Sequence, residues 1–120
     1  MVDAFSLSNI LDDIPEYKGC YEDKEHSRML KEQHLEIYHN SPENCGGLCK
    51  SMGYRYFGLQ GNTGEWCYCG NSLRIEIKKH ESDCHVKCPG DGSKKCGGIF
   101  RMNVYKFKDN CKIGKNLKII

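Results

Sequence analysis

Residues 41–70 read SPENCGGLCKSMGYRYFGLQGNTGEWCYCG, and the cysteine spacings in this stretch decide what the chain can fold into. Cys45 and Cys49 lie four residues apart, one step along a helix face, whereas Cys67 and Cys69 lie two apart, one step along a strand face. Helical neighbours at that spacing sit roughly 5–6 Å apart at Cβ, and alternate strand residues about 6.6 Å apart. Two parallel disulfides can therefore staple one helix to one strand. The spacing leaves open which cysteine of one pair takes which of the other.

Local signals place both elements. Ser41-Pro42-Glu43 supplies an N-cap hydroxyl, a proline at the first helical position and an acid near the positive end of the helix dipole. Gly53 is placed to end the helix in a left-handed turn. GYRYFGLQ then alternates, with Tyr54, Tyr56 and Gly58 on one side and Arg55, Phe57 and Leu59 on the other, as a strand does. Gln60 to Gly64 reads as a turn into the extended EWCYCG, so the two runs form a hairpin.

Working outward, YKGCYED opens the domain, and the charged stretch from Asp23 to Asn40 forms either a helix or a long polar loop. His34 and His39 lie five apart and do not share a helix face, and the order of residues there is not that of a zinc protease. Leu73, Ile75 and Ile77 alternate as a half-buried strand. Ser82 is a candidate cap before Cys84 and Cys88, a second pair at helical spacing, and Pro89-Gly90 makes a turn. A last strand follows, with Phe100, Met102 and Val104 on its core face and Arg101, Asn103 and Tyr105 opposite. Residues 1–16 read as a linker or leader, 17–107 as the domain and 108–120 as a basic tail.

Nine cysteines, 38% hydrophobic and 28% charged residues in 120 positions describe one domain with a modest core that needs cross-links. They also point to an oxidising compartment. The amino-terminal residues carry acids at Asp3, Asp12 and Asp13 and lack the pattern of a secretory signal, so the chain reads as part of a larger extracellular protein, with no membrane-spanning segment. A net charge of +2 and the lack of a base-reading motif argue against nucleic acid. Lys106, Lys108, Lys112, Lys115 and Lys118 read as a solvated tail.

GCYED around Cys20, Arg28, NCGGLCKSMGYRYFGL, WCYCGN, DCHVKCPGDGSKKCGG and a closing Val104-Tyr105 together resemble a WSC domain, the cysteine-rich module of fungal cell-wall stress sensors and Kremen-type receptors. The resemblance covers about residues 17–105. It implies an α+β, disulfide-stapled, PAN/apple-like fold, an antiparallel sheet with a packed helix. It also implies the pairs Cys20–Cys84, Cys45–Cys67, Cys49–Cys69 and Cys88–Cys96, one scheme among on the order of a hundred possible for eight cysteines. Cys111 falls outside that framework and has three readings: pairing with a neighbouring domain, linking two chains in a dimer, or remaining a free thiol.

The resemblance implies a carbohydrate ligand, a polysaccharide or a glycoprotein glycan, and no catalysis, cofactor or metal. Sugar recognition requires an exposed aromatic face together with fixed polar groups. Tyr54 and Tyr56, with Gly58 leaving space, form one candidate face; Trp66 and Tyr68, pointing away from the stapled helix, form a second. Arg101, Asn103 and Tyr105 on the last strand and Asn62, Glu65 and Asn71 beside the hairpin supply candidate polar contacts. Asp23 and Arg28 read as a structural ion pair or cap. The alternatives are a protein-binding module of a receptor ectodomain and a zinc module built on Cys45, Cys49, Cys67 and Cys69. No nucleophile elbow, phosphate loop or paired carboxylate motif is present, which argues against an enzyme.

Overall fold

A computed structural model describes residues 14–24, 28–74 and 76–108. Within them, strand β1 (Glu16–Glu22) and the short strand β2 (Gln33–Glu36) precede helix α1 (Pro42–Ser51). Strands β3 (Tyr56–Gln60) and β4 (Trp66–Gly70) follow, then a single 3-10 turn (Glu81–Asp83), the small hairpin β5 (Lys87–Cys88) and β6 (Asp91–Lys95), and β7 (Arg101–Lys106). β1, β7, β3, β4 and β2 lie side by side in that order in one antiparallel sheet. The domain is thus a small α+β fold whose only helix, among the described residues, packs on the sheet.

The helix begins and ends where its sequence directs. Ser41 Oγ accepts the Asn44 N–H at 3.0 Å, and Pro42 occupies the first turn, where its missing N–H leaves nothing unpaired. Gly53 adopts φ +86° and donates its N–H to the Lys50 carbonyl at 2.9 Å, closing the C-terminus. Cys45 and Cys49 face the sheet and are joined to Cys67 and Cys69 respectively, each pair with Cα atoms 5.5 Å apart. Cys20–Cys84 ties β1 to the 3-10 turn, and Cys88–Cys96 closes the small hairpin. These are the four pairs that the resemblance implies.

Both faces of the sheet are covered, which the alternation alone did not disclose. On the helix side Phe57 and Leu59 join the stapled cysteines in a fully buried cluster, with Tyr54, Tyr105 and Phe107 packed at its edge. On the other side Met102, Val104, Tyr21 and Tyr68 meet Met29 and Leu30, which the segment after Arg28 lays across the strands. β7 therefore has two core faces, not one. Phe100 lies before the strand, 46% exposed, and is not on its core face.

Other expectations change as well. Leu73 and Ile77 belong to no named strand, and Ile77 is 42% exposed, although residues 77–79 run along β1 through the Glu22 N–H to Ile77 carbonyl bond, the Lys79 N–H to Cys20 carbonyl bond and the Tyr21–Lys78 bridge; Ile75 lies outside the described residues. Cys84 and Cys88 do not share a helix: the first follows the 3-10 turn and the second sits in β5, where their partners Cys20 and Cys96 draw them to different sheets. The charged stretch before α1 holds a strand, β2, which pairs along β4 from Gln33 against Cys69 to Glu36 against Trp66. Gly58 leaves no space, since a Cβ there would collide with the buried Met102 side chain. Cys111 and the tail beyond Lys108 lie outside the described residues.

Two neighbouring glycines of α1 should respond oppositely to substitution. Gly47→Ala meets nothing within 4 Å and is expected to raise stability by about 1 kcal/mol, whereas Gly46→Ala places a methyl 2.9 Å from the Phe57 ring and should lower it. Thermal melts of the two variants check the sign. Removing one staple as the double variant Cys49→Ala/Cys69→Ala opens a 20-residue loop, worth about 3 kcal/mol in the chain-entropy account. At about 4–8 °C per kcal/mol the melting temperature should fall by roughly 12–24 °C.

Candidate functional site

The stapled cysteines set the orientation of their neighbours. Since Cys67 and Cys69 point to the helix, Trp66 and Tyr68, which alternate with them, must point to the opposite face. β2 adds His34 directly opposite Tyr68 in register. The His34 ring stacks on Tyr68 with centroids 5.7 Å apart at 28°, and it lies 5.7 Å from Trp66. From the other side the Arg28 guanidinium covers the Tyr68 ring at 5.1 Å, a favourable cation–π placement. β3 contributes Gln60, the register partner of Trp66 on the same face.

These groups line an open groove of about 450 Å³, whose far wall is the Ile99–Phe100 turn. Its floor is held by a buried carboxylate. Asp23 is fully buried; one oxygen accepts the Met29 N–H and the other the Arg28 Nη1, both at 2.6 Å. This fixes the loop that carries Arg28 and Met29, and the ion-pair reading of the two residues holds. Gln60 donates its Nε2 to the Asp23 carbonyl at 3.5 Å, but its Oε1, on a side chain only 5% exposed, has no hydrogen-bond partner among the described residues. An unpaired buried amide oxygen costs about 1–3 kcal/mol. Burial raises the Tyr68 phenol above its ordinary value, with Arg28 opposing the shift. The ring therefore stays uncharged at neutral pH.

The other expected contacts separate. Tyr54 packs against the helix-side cluster, away from Tyr56, which is half-buried on the opposite face with Lys106 Nζ 5.9 Å from its ring. Asn71 Oδ1 accepts the Arg55 N–H at 3.1 Å and holds the end of the hairpin. Asn103 is 3% exposed and fully engaged: Nδ2 donates to the Tyr17 hydroxyl at 2.8 Å and Oδ1 accepts the Gly97 N–H at 2.6 Å. Burial first, then the Glu81 carboxylate bonded to it, raises the Tyr17 phenol well above its usual range. Tyr105 stacks on Phe57, centroids 4.8 Å apart and planes 2° from parallel. Asn103 is thus a framework residue, and the half-buried Tyr105 ring packs on the Tyr17 and Phe57 rings of the two neighbouring strands. Arg101 remains accessible beside the groove, bonded through Nε to Asp83 Oδ2 at 3.0 Å.

His34, Gln60, Ile99 and Phe100 escaped the sequence reading. Nothing local marks these four as site residues; Leu35 and Ile37, two apart, are the one local hint of a strand there. The sulfurs of Cys45, Cys49 and Cys67 lie within 4.8 Å of one another, yet each is already joined in an S–S bond. A disulfide sulfur is not a thiolate ligand, so this cluster does not form the zinc module considered as an alternative.

The WSC domain family matches residues 17–98, and the chain belongs to that family. It is 37% identical over 90 residues to a protein of Drosophila pseudoobscura pseudoobscura named Xylosyltransferase oxt, covering 73% of this chain and 10% of that protein. It is 35% identical over 96 residues to a WSC domain-containing protein of Arthroderma benhamiae, covering 78% and 13%. To Cell wall integrity and stress response component 3 of Saccharomyces cerevisiae it is 36% identical over 94 residues, covering 74% and 16%. The chain therefore spans only a small part of the relatives it matches. Among its described residues no helix is long and apolar enough to cross a membrane.

The Asp23–Arg28 pair should matter most through the carboxylate. Arg28→Met leaves a fully buried charge without its partner, and stability measured by urea unfolding is expected to fall by about 3 kcal/mol.

Proposed function

We propose that the domain is a non-catalytic extracellular recognition module, displayed on or secreted from the cell surface, which binds cell-surface or cell-wall polysaccharide or glycoprotein glycans. The groove of Trp66, Tyr68, His34, Arg28 and Gln60 is its binding site. The observation that carries this reading is one open groove lined by the Trp66 indole, the Tyr68 and His34 rings and the Arg28 guanidinium. A pyranose ring presents a C–H face and a rim of hydroxyls, and this groove offers the counterpart of each: π surface for the face, and the Arg28 and His34 side chains for the rim. The named relatives add support. The same module occurs in a protein named as a xylosyltransferase and in one named for cell wall integrity, as befits a part that recognises glycan surroundings while other parts differ in task.

The protein-binding reading rests on a different place. A cleft of about 600 Å³ beside α1 is lined by Ile14, Pro15, Pro42, Gly46, Gly47 and Tyr105, together with Glu43, Lys50 and Lys94. Its lining is mainly apolar with charged groups of both signs, which suits a peptide that carries an apolar side chain.

A glycan array bearing β-glucans, mannans, chitin and glycosaminoglycans, probed with the oxidised domain, separates the two. Trp66 is the chain's one tryptophan, so a bound sugar should shift its emission. Trp66→Ala should weaken binding about tenfold, in line with an aromatic contact of about 1–1.5 kcal/mol. No signal from any glycan class would favour the helix-side cleft and a protein partner.

A further inference from the structure

The groove beside Trp66 does not end at the Ile99–Phe100 turn. Beyond it lies a second depression of about 480 Å³, lined by Ser82, Asp83, His85, Val86 and Arg101, and Asn62 and Ile99 line both. The turn between them is rigidly made. Gly98 and Arg101 exchange backbone hydrogen bonds at 3.0 and 3.2 Å, and the Gly61 N–H holds the Gly98 carbonyl at 3.2 Å. Phe100, at φ +57°, is the one non-glycine residue in the left-handed region among those described, and its carbonyl receives the Asp23 N–H and Arg101 Nη1, both at 3.0 Å. For a bulky aromatic this conformation is costly. What it achieves is to lift Ile99, 64% exposed, and Phe100, 46% exposed, as an apolar ridge between two polar hollows.

The hollows are alike in chemistry. Each contains one guanidinium already facing a carboxylate, Arg28 on Asp23 at 2.6 Å and Arg101 on Asp83 at 3.0 Å, and each has one imidazole, His34 or His85. Each guanidinium offers N–H donors to ligand hydroxyls, and Asp83, which lines its hollow, adds an acceptor there, whereas Asp23 is fully buried. The pairing leaves no uncompensated arginine to attract a sulfate or carboxylate.

We propose that the two hollows form one tract that takes an extended uncharged polysaccharide chain laid across the Ile99–Phe100 ridge, with Trp66 at one end and His85 at the other. The proposal rests on the polysaccharide reading and adds the length and charge class of the ligand. Sugar rings bound on either side share one chain, so the second contact is intramolecular and strengthens the first.

Titration with ladders of β-glucan, mannan and chitin oligosaccharides, with heparin as the anionic control, tests it. For the ladder that binds, affinity should rise at least tenfold from the shortest binder to a plateau and stay constant as salt is added. His85→Ala should abolish the gain with length and leave the shortest binder unchanged, whereas Trp66→Ala should weaken every length. Affinity independent of length, a full length gain retained in His85→Ala, or preferential binding of heparin would each overturn the tract. If no ladder binds at all, the polysaccharide reading falls too; binding without a length gain removes the tract alone.

Discussion

The two parallel disulfides between α1 and β4 are the constraint on which the rest of the domain depends. With 28% charged residues and two small buried clusters, hydrophobic burial alone is thin support for a chain of this size. Cross-linking restricts the unfolded ensemble, so that a modest core suffices. The same bonds also set a geometry. Once Cys67 and Cys69 are committed to the helix, strand pleating turns Trp66 and Tyr68 to the other face, and no repacking of the helix can exchange the two sets. The staple is therefore also the device that aims the aromatic rings.

A second constraint acts on the face so exposed. Left bare, that side of the sheet would be an apolar surface of Tyr21, Tyr68, Met102 and Val104. The loop bearing Met29 and Leu30 covers most of it, and the buried Asp23 carboxylate holds the loop there through the Met29 N–H and the Arg28 guanidinium. Cover stops short at the edge nearest β2. Trp66, His34 and Gln60 lie at that margin, and the groove is what incomplete cover leaves. Framework and site thus meet in Asp23 and Arg28: the pair is structural, yet the guanidinium it fixes lies over Tyr68 and lines the groove.

Much of this was legible locally. The cap at Ser41, the proline after it, the glycine stop at Gly53 and the β3–β4 hairpin follow from residue chemistry within a few positions, and the structure places them there. Trp66 and Tyr68 were legible for the same reason, since their direction follows from adjacent cysteines. Errors cluster where a residue's surroundings come from far along the chain. Asn103 and Tyr105 read as an exposed face, but side chains from distant strands meet them: Tyr17 and Phe57 pack on the Tyr105 ring, and Asn103 is bonded to Tyr17, 86 residues away. Leu73 and Ile77 alternate like a strand, but only the short stretch at Ile77–Lys79 meets β1, and it forms an isolated bridge instead of a strand.

The chain by itself determined the elements around residues 41–70, the helix-to-strand match of the cysteine pairs, and the opposition of Trp66 and Tyr68 to those cysteines. All of these depend on backbone periodicity and on side chains a few residues apart. Only the tertiary structure decided that both sheet faces are packed, that Gly58 is filled by Met102, and that His34, Gln60 and the Ile99–Phe100 ridge gather around Trp66. Alternation specifies which way a side chain points. Whether water, another segment or a ligand meets it there depends on contacts between residues distant in sequence, and no local pattern encodes those.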